Sequence, residues 1–206
     1  MRTRVKICGI TRIEEAMAAA QAGADAIGFV FDPKSPRHVH PDQALKIARA
    51  LPPFITIVGL FVNAAPDTIE GVLSHVPLDL IQFHGNEKPE QCRRYHRSYI
   101  KAIHMKPDVD LREMARLYGD ATGLLLDTYV ADVAGGSGQV FDWNRIPRDL
   151  GKPVILAGGL TPENVAEAVR KVRPFAVDVS SGVEQGKGIK DAKMISDFID
   201  AVAQTA

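Results

Sequence analysis

Short runs rich in β-branched and aromatic residues alternate along the chain with longer stretches whose apolar positions recur at helical spacing. The first run, Arg4-Val5-Lys6-Ile7-Cys8, leads into a helical pattern from Glu14 to Ala22 that Gly23 stops. A second strand is expected over Asp25–Phe31. Pro41-Asp42 then opens a helix with Ala44, Leu45, Ile47, Ala48 and Leu51 on one stripe, and Pro52-Pro53 ends it. Phe54–Val62, Asp79–Phe83, Tyr99–His104, Gly123–Asp127, Pro153–Ala157 and Phe175–Val179 read as the remaining strands. Helices are expected over Pro66–His75, from Pro89, over Asp108–Tyr118, weakly over Asp142–Leu150, and from Asp191 to about Val202. One more is expected behind a Thr161-Pro162-Glu163 cap.

Eight βα units share 206 residues, about 26 each, which is near the lower size limit of a (β/α)8 barrel. A doubly wound open sheet is the competing α/β arrangement. It usually has fewer strands at this length, and the first turn here, Cys8-Gly9-Ile10-Thr11, lacks the GxGxxG pattern. No linker, low-complexity segment or charge block divides the chain, so a single TIM barrel domain over residues 1–206 is expected.

Composition narrows the partners. Hydrophobic residues at 46% and charged residues at 24% exclude wholesale disorder. Lys+Arg and Asp+Glu number 25 each, so there is no basic excess for phosphate neutralisation and no nucleic-acid partner is expected. Cys8 and Cys92 lie outside any CxxC pair and form no disulfide framework, a pattern that suits a reducing cytoplasm. The first apolar stretch stops at Gly9, and the run Ala24–Phe31 is broken by Asp25 and Gly28. Neither makes a signal core or a membrane span, so a soluble cytoplasmic protein with no membrane partner is expected.

In a barrel of this kind the reacting groups sit at the carboxyl ends of strands and in the βα loops, which turns strand endings into candidates. Cys8 closes the first strand and shares a face with Lys6. A free cysteine also often just fills core space, and both readings stay open. Cys92, between Gln91 and Arg93-Arg94, reads as packing or surface. Asp127 closes the run Leu124-Leu125-Leu126, where desolvation is expected to raise its pKa and make it a general acid. A loop-capping carboxylate is the alternative. Asp178 ends a similar run, with Ser180 and Ser181 able to hold it as a turn acceptor.

Gly158-Gly159 and Ser180-Ser181-Gly182 follow adjacent strands, the recurring phosphate site of the architecture. Gly135-Gly136-Ser137-Gly138 reads as a mobile lid or a surface turn. Arg37, after the second strand, is either a bidentate clamp for a substrate carboxylate or a solvated arginine, with the solvated reading ahead. His84 is a ligand contact or a turn residue. No HxH, HExxH or carboxylate-rich cluster appears, so no catalytic metal is expected.

From end to end the chain resembles the phosphoribosylanthranilate isomerases. The resemblance rests on Val5-Lys6-Ile7-Cys8-Gly9-Ile10-Thr11, Gly28-Phe29-Val30-Phe31, Ser35-Pro36-Arg37, Gly59-Leu60-Phe61-Val62-Asn63 and Gln82-Phe83-His84-Gly85. It continues through Leu125-Leu126-Asp127-Thr128, the GGSG loop with Phe141-Asp142-Trp143, Ala157-Gly158-Gly159-Leu160 and Val177-Asp178-Val179-Ser180-Ser181-Gly182-Val183-Glu184. Phe83 stands where leucine is usual, and Gln139 where lysine or threonine is common.

The resemblance implies a (β/α)8 barrel that catalyses an Amadori rearrangement in tryptophan biosynthesis without cofactor or metal. It implies Asp127 as general acid and Cys8 as general base. Arg37 would hold the anthranilate carboxylate and Asp178 the sugar hydroxyls, with His84 among the substrate contacts. Gly158, Gly159, Ser180, Ser181 and Gly182 would hold the phosphate. The partner would be a small phosphosugar–anthranilate substrate, on a monomer or homodimer. Two rivals stand beside it. The histidine-pathway isomerase runs the same chemistry with two carboxylates, against which Cys8 argues, as does the single glycine–phosphate pair of loops. A non-catalytic phosphosugar-binding barrel is disfavoured by the joint presence of Cys8, Asp127 and Asp178.

Overall fold

The computed structural model describes residues 2–128 and 141–205, so the Gly135–Gly138 loop lies outside the described residues. Eight parallel strands close into a barrel in chain order: β1 Arg4–Cys8, β2 Ala26–Val30, β3 Thr56–Phe61, β4 Leu80–Phe83, β5 Tyr99–His104, β6 Gly123–Asp127, β7 Val154–Leu156 and β8 Ala176–Val179. Closure is made by β1 pairing with β8, which sets Lys6 opposite Asp178. The helices are α1 Ile13–Ala22, α2 Pro41–Ala50, α3 Pro66–His75, α4 Pro89–Arg93, α5 Leu111–Leu117, α6 Val165–Val172 and α7 Ala192–Ala203. Among the described residues no helix is long and apolar enough to cross a membrane.

Strand alternation divides the core in two. Ile7, Ile27, Phe61, Ile81, Leu124, Leu126, Val177 and Val179 join the large cluster packed beneath the helices. The positions between them face the barrel axis. There Ile100, Ala102, Leu125, Ile155 and Ala176 fill the floor. Toward the carboxyl ends of the strands the same register brings up Cys8, Gln82, His84, His104, Asp127 and Asp178. The floor is apolar and the mouth largely polar because the inward sets of β4, β5, β6 and β8 change character along their length, while Val30 and Leu60 keep the β2–β3 side apolar beside Cys8.

Four local features depart from or add to the expected elements. The helix expected over Asp142–Leu150 is a single 3-10 turn, Trp143–Arg145. Pro147 disfavours helical backbone in the residue before it, and Ile146 is extended at φ −85 and ψ 113. Helix α6 runs Val165–Val172 and is preceded by a turn in which the Val165 amide donates to the Thr161 carbonyl (3.0 Å) and Asn164 Oδ1 accepts the Thr161 amide (2.9 Å). Phe175 lies outside β8, partly exposed, with the Arg4 guanidinium 4.4 Å from its ring centroid. Finally, a hairpin of β9 Glu184–Gly186 and β10 Ile189–Lys190 follows the loop after β8, turning through Gly188 at φ 79.

Candidate active site

Strand β1 presents Lys6 and Cys8 into the mouth. Gly28 on the neighbouring strand makes room for both. A Cβ there would lie 2.9 Å from Cys8 Sγ and 3.1 Å from Lys6 Nζ. Lys6 Nζ donates to Asp178 Oδ1 at 2.8 Å, an ion pair whose side chains are 6% and 8% exposed. Burial alone would push the Lys6 ammonium down. The charges of Asp178 and Cys8 outweigh it, so Lys6 stays protonated beside the thiol.

Cys8 itself is buried, and burial pushes its thiol up. The nearby Lys6 and Lys190 charges offset this only in part, and Asp178 works against them. A raised thiol pKa means that thiolate appears only as pH climbs past the ordinary thiol range. Alkylation of Cys8 by iodoacetamide is therefore expected to be very slow at pH 7 and to accelerate above pH 9. Cys92, whose thiol is pushed up to about 12, should lag behind it. Peptide mapping across a pH series checks this, and fast labelling of Cys8 at pH 7 would contradict it.

Across the mouth, β6 ends in Asp127. Gln82 Nε2 lies 2.9 Å from His84 Nδ1, so the amide donates and the ring proton is left on Nε2. That Nε2 stands 3.1 Å from Asp127 Oδ2. Burial pushes the Asp127 carboxyl up, but the His84 hydrogen bond, the His84 and His104 charges and the Thr128 amide together bring it below the usual carboxylate range. This corrects the expectation of a raised pKa, because two inward histidines from β4 and β5 meet the carboxylate. His104 packs edge-on against His84, 5.2 Å between centroids, and its Nε2 lies 3.2 Å from the His84 carbonyl. Burial, and then the charge of His84, pushes its imidazole down. The fields of both His84 and Asp127 reach Asp178, which links the two halves of the mouth.

Arg37 is not solvated. Its side chain is 12% exposed, and its Nε and one Nη make a fork to Glu184 Oε1 and Oε2 at 2.7 and 2.9 Å. Gly9, at φ 79, passes beneath it, since a Cβ there would come within 2.7 Å of Arg37 Cδ. Lys190, fully buried, donates to Glu184 Oε1 (2.7 Å) and to the Ser180 carbonyl (3.1 Å). Glu184 and Lys190 were not singled out from sequence. Two glycines flanking Lys187 were a legible hairpin signal.

The two glycine-bearing loops meet. A Cβ on Gly182 would fall 1.9 Å from the Leu160 carbonyl, so the loops after β7 and β8 are in direct backbone contact. Gly158 and Gly159 are left-handed, at φ 82 and 65. The missing side chain of Gly158 makes room for Thr128 and Asp127, whose Oδ1 would lie 2.7 Å from its Cβ. Ser180 Oγ donates to the Cys8 carbonyl (3.0 Å) and accepts from Lys190, so its hydroxyl is already engaged. What these loops offer an anion is backbone N–H groups. A separate cavity of about 500 Å³, lined by Trp143, Lys152, Arg173 and Phe175, opens at the other end of the barrel, away from these acid–base groups.

The family described as N-(5'-phosphoribosyl)anthranilate (PRA) isomerase matches residues 5–201. The N-(5'-phosphoribosyl)anthranilate isomerase of Nitrosococcus oceani is 61% identical over 202 residues, covering 98% of each chain. The crystal structure of phosphoribosyl anthranilate isomerase from Thermotoga maritima superposes with a TM-score of 0.88 at 45% identity, covering 98% of this chain and 99% of that one. A phosphoribosyl anthranilate isomerase in complex with reduced 1-(o-carboxyphenylamino)-1-deoxyribulose 5-phosphate gives 0.85 at 44% identity, with the same coverage.

Proposed function

Since this chain belongs to the N-(5'-phosphoribosyl)anthranilate isomerase family, we propose that it rearranges N-(5'-phosphoribosyl)anthranilate to 1-(2-carboxyphenylamino)-1-deoxyribulose 5-phosphate with Asp127 as acid and Cys8 as base. The observation that carries the assignment is the placement of a His84-held carboxylate on β6 and a Lys6-flanked thiol on β1 in one polar mouth. Aldose-to-ketose isomerisation needs one proton donor and one acceptor on separate elements. Both rivals fit less well: two carboxylates would leave the thiol without a task, and a binding protein would need no such pair.

Asp127 gives its proton to the furanose ring oxygen, and the C1–O bond breaks as the anthranilate nitrogen forms the C1=N iminium. Cys8 thiolate takes the proton from C2, and the electron pair moves into C1=C2 to give an enolamine. The C2 hydroxyl then loses its proton, C1 gains one, and the ketone results with no net change in protons. In the resting protein Asp127 is ionised and Cys8 protonated. The productive form differs only in the place of one proton, so its share does not change with pH between the two pKa values. An anionic substrate favours the proton on Asp127, and the iminium favours the thiolate.

Glu184 holds two nitrogens of Arg37, which leaves the other Nη to meet the anthranilate carboxylate. Asp178 reaches the sugar hydroxyls, and the backbone of Gly158, Gly159, Ser180, Ser181 and Gly182 takes the phosphate. The enzyme works in the cytoplasm, without cofactor, as one domain. Arg37→Ala is expected to cost roughly 1.5–3 kcal/mol in kcat/KM, the scale of a charge-assisted hydrogen bond. A product analogue lacking the carboxylate should bind both proteins alike, and an equal loss with that analogue would give Arg37 another role. The proposed function is tested by expressing the chain in a bacterial strain that lacks this isomerase. Growth without tryptophan is expected, and no growth despite soluble protein would overturn it.

A further inference from the structure

We propose that His84, His104 and Asp127 form a site for a divalent transition-metal ion, zinc above all, that shuts the enzyme off by occupying its acid. One ligating atom from each of the three residues lies within 4.8 Å of the other two. A tetrahedral zinc with bonds near 2.0–2.1 Å needs ligand atoms roughly 3.3–3.5 Å apart. The His84–Asp127 pair, at 3.1 Å, is already close to that spacing. His104, on the neighbouring strand, closes the remaining gap by a side-chain rotation. Two imidazoles and one carboxylate with an open fourth position make a donor set that suits zinc better than magnesium or calcium.

An independent observation concerns the shell behind the ligands. A histidine that binds metal through Nε2 must carry its proton on Nδ1, and that proton needs an acceptor. In the resting arrangement Gln82 donates to Nδ1, the wrong sense for a metal-bound ring. Yet Gln82 Oε1 is buried without any hydrogen-bond partner, so only the Nε2 bond to His84 holds the amide in this orientation. Turned about its last torsion, it offers Oε1 to Nδ1–H and loses no other bond from that oxygen. The site can therefore serve a proton-bearing or a metal-bearing Nε2. Metal on Asp127 Oδ2 would take the place from which the proton leaves.

The site itself does not depend on the assignment of Asp127 as acid; only the inhibition does. Zinc binding is measured by titration calorimetry on the full chain, and turnover is measured in zinc or in chelator. The wild type is expected to bind one zinc, lose turnover, and regain it with chelator. His104→Gln, its turnover read against its own rate in chelator, should bind zinc at least tenfold more weakly and resist inhibition in proportion. Cobalt bound to the wild type should show the visible bands of a four-coordinate site, without the thiolate-to-metal band that Cys8 ligation would give. No binding at millimolar zinc, equal binding by His104→Gln, or a thiolate band would each overturn the proposal. Zinc bound in the wild type and lost in His104→Gln, with turnover unaffected throughout, would uphold the site and remove Asp127 as acid.

Discussion

Asp127→Asn is expected to lower kcat by about 10²–10⁴-fold, the range of a positioned proton donor, with KM little changed. The side chain keeps its shape, and its amide oxygen still accepts the His84 Nε2–H, so the loop and the mouth keep their form. On the proposed mechanism, what is lost is the proton for the ring oxygen. Asp127 is held below the ordinary carboxylate range, which makes its protonated form scarce but a strong donor. Asparagine can supply neither. A thermal melt matched to the wild type would show that the fold is intact, and kcat within a few-fold of wild type would remove Asp127 from the chemistry.

Cys8→Ala should cut kcat by at least ~10²-fold if Cys8 is the proposed base, because no other group on β1 is placed to replace it. Lys6 stays protonated and tied to Asp178, so it cannot replace the thiolate. Cys8→Ser keeps the volume but puts the base on a hydroxyl with a far higher pKa, and it should be nearly as slow. Cys92→Ala is the control. Its sulfur is buried beside the Glu87 carbonyl, 3.9 Å away, on the helix side of the barrel wall. Its loss should leave kcat alone and cost only packing. Activity surviving in Cys8→Ala but falling in Cys92→Ala would reverse the assignment.

The strands and their order were legible because each is a short apolar run with an abrupt polar or glycine ending, and those endings mark the mouth. Cys8 and Asp127 stood out for that reason. The errors have other causes. Asp142–Leu150 carries a helical pattern, but Pro147 constrains the residue before it, a local effect that outweighs periodicity. The direction of the Asp127 shift depends on His84 and His104 meeting it across strands, which register decides and spacing along the chain does not. Arg37 read as a surface arginine because its partner, Glu184, lies far away in sequence on a hairpin that only closure of β8 onto β1 brings near. Charged residues buried in pairs look like solvated ones until both partners are placed.

One polypeptide, without added cofactor, is proposed to perform this isomerisation with the proton carriers of β1 and β6. The most direct measurement follows the fluorescence of N-(5'-phosphoribosyl)anthranilate, generated in the cuvette from anthranilate, with the purified protein and a chelator. Expected are rapid loss of signal with wild type and Cys92→Ala, appearance of the carboxyphenylamino-deoxyribulose phosphate by mass spectrometry, and rates at least ~10²-fold lower with Cys8→Ala and Asp127→Asn. Wild type that leaves the fluorescence unchanged, or variants that turn over as fast as wild type, would contradict it.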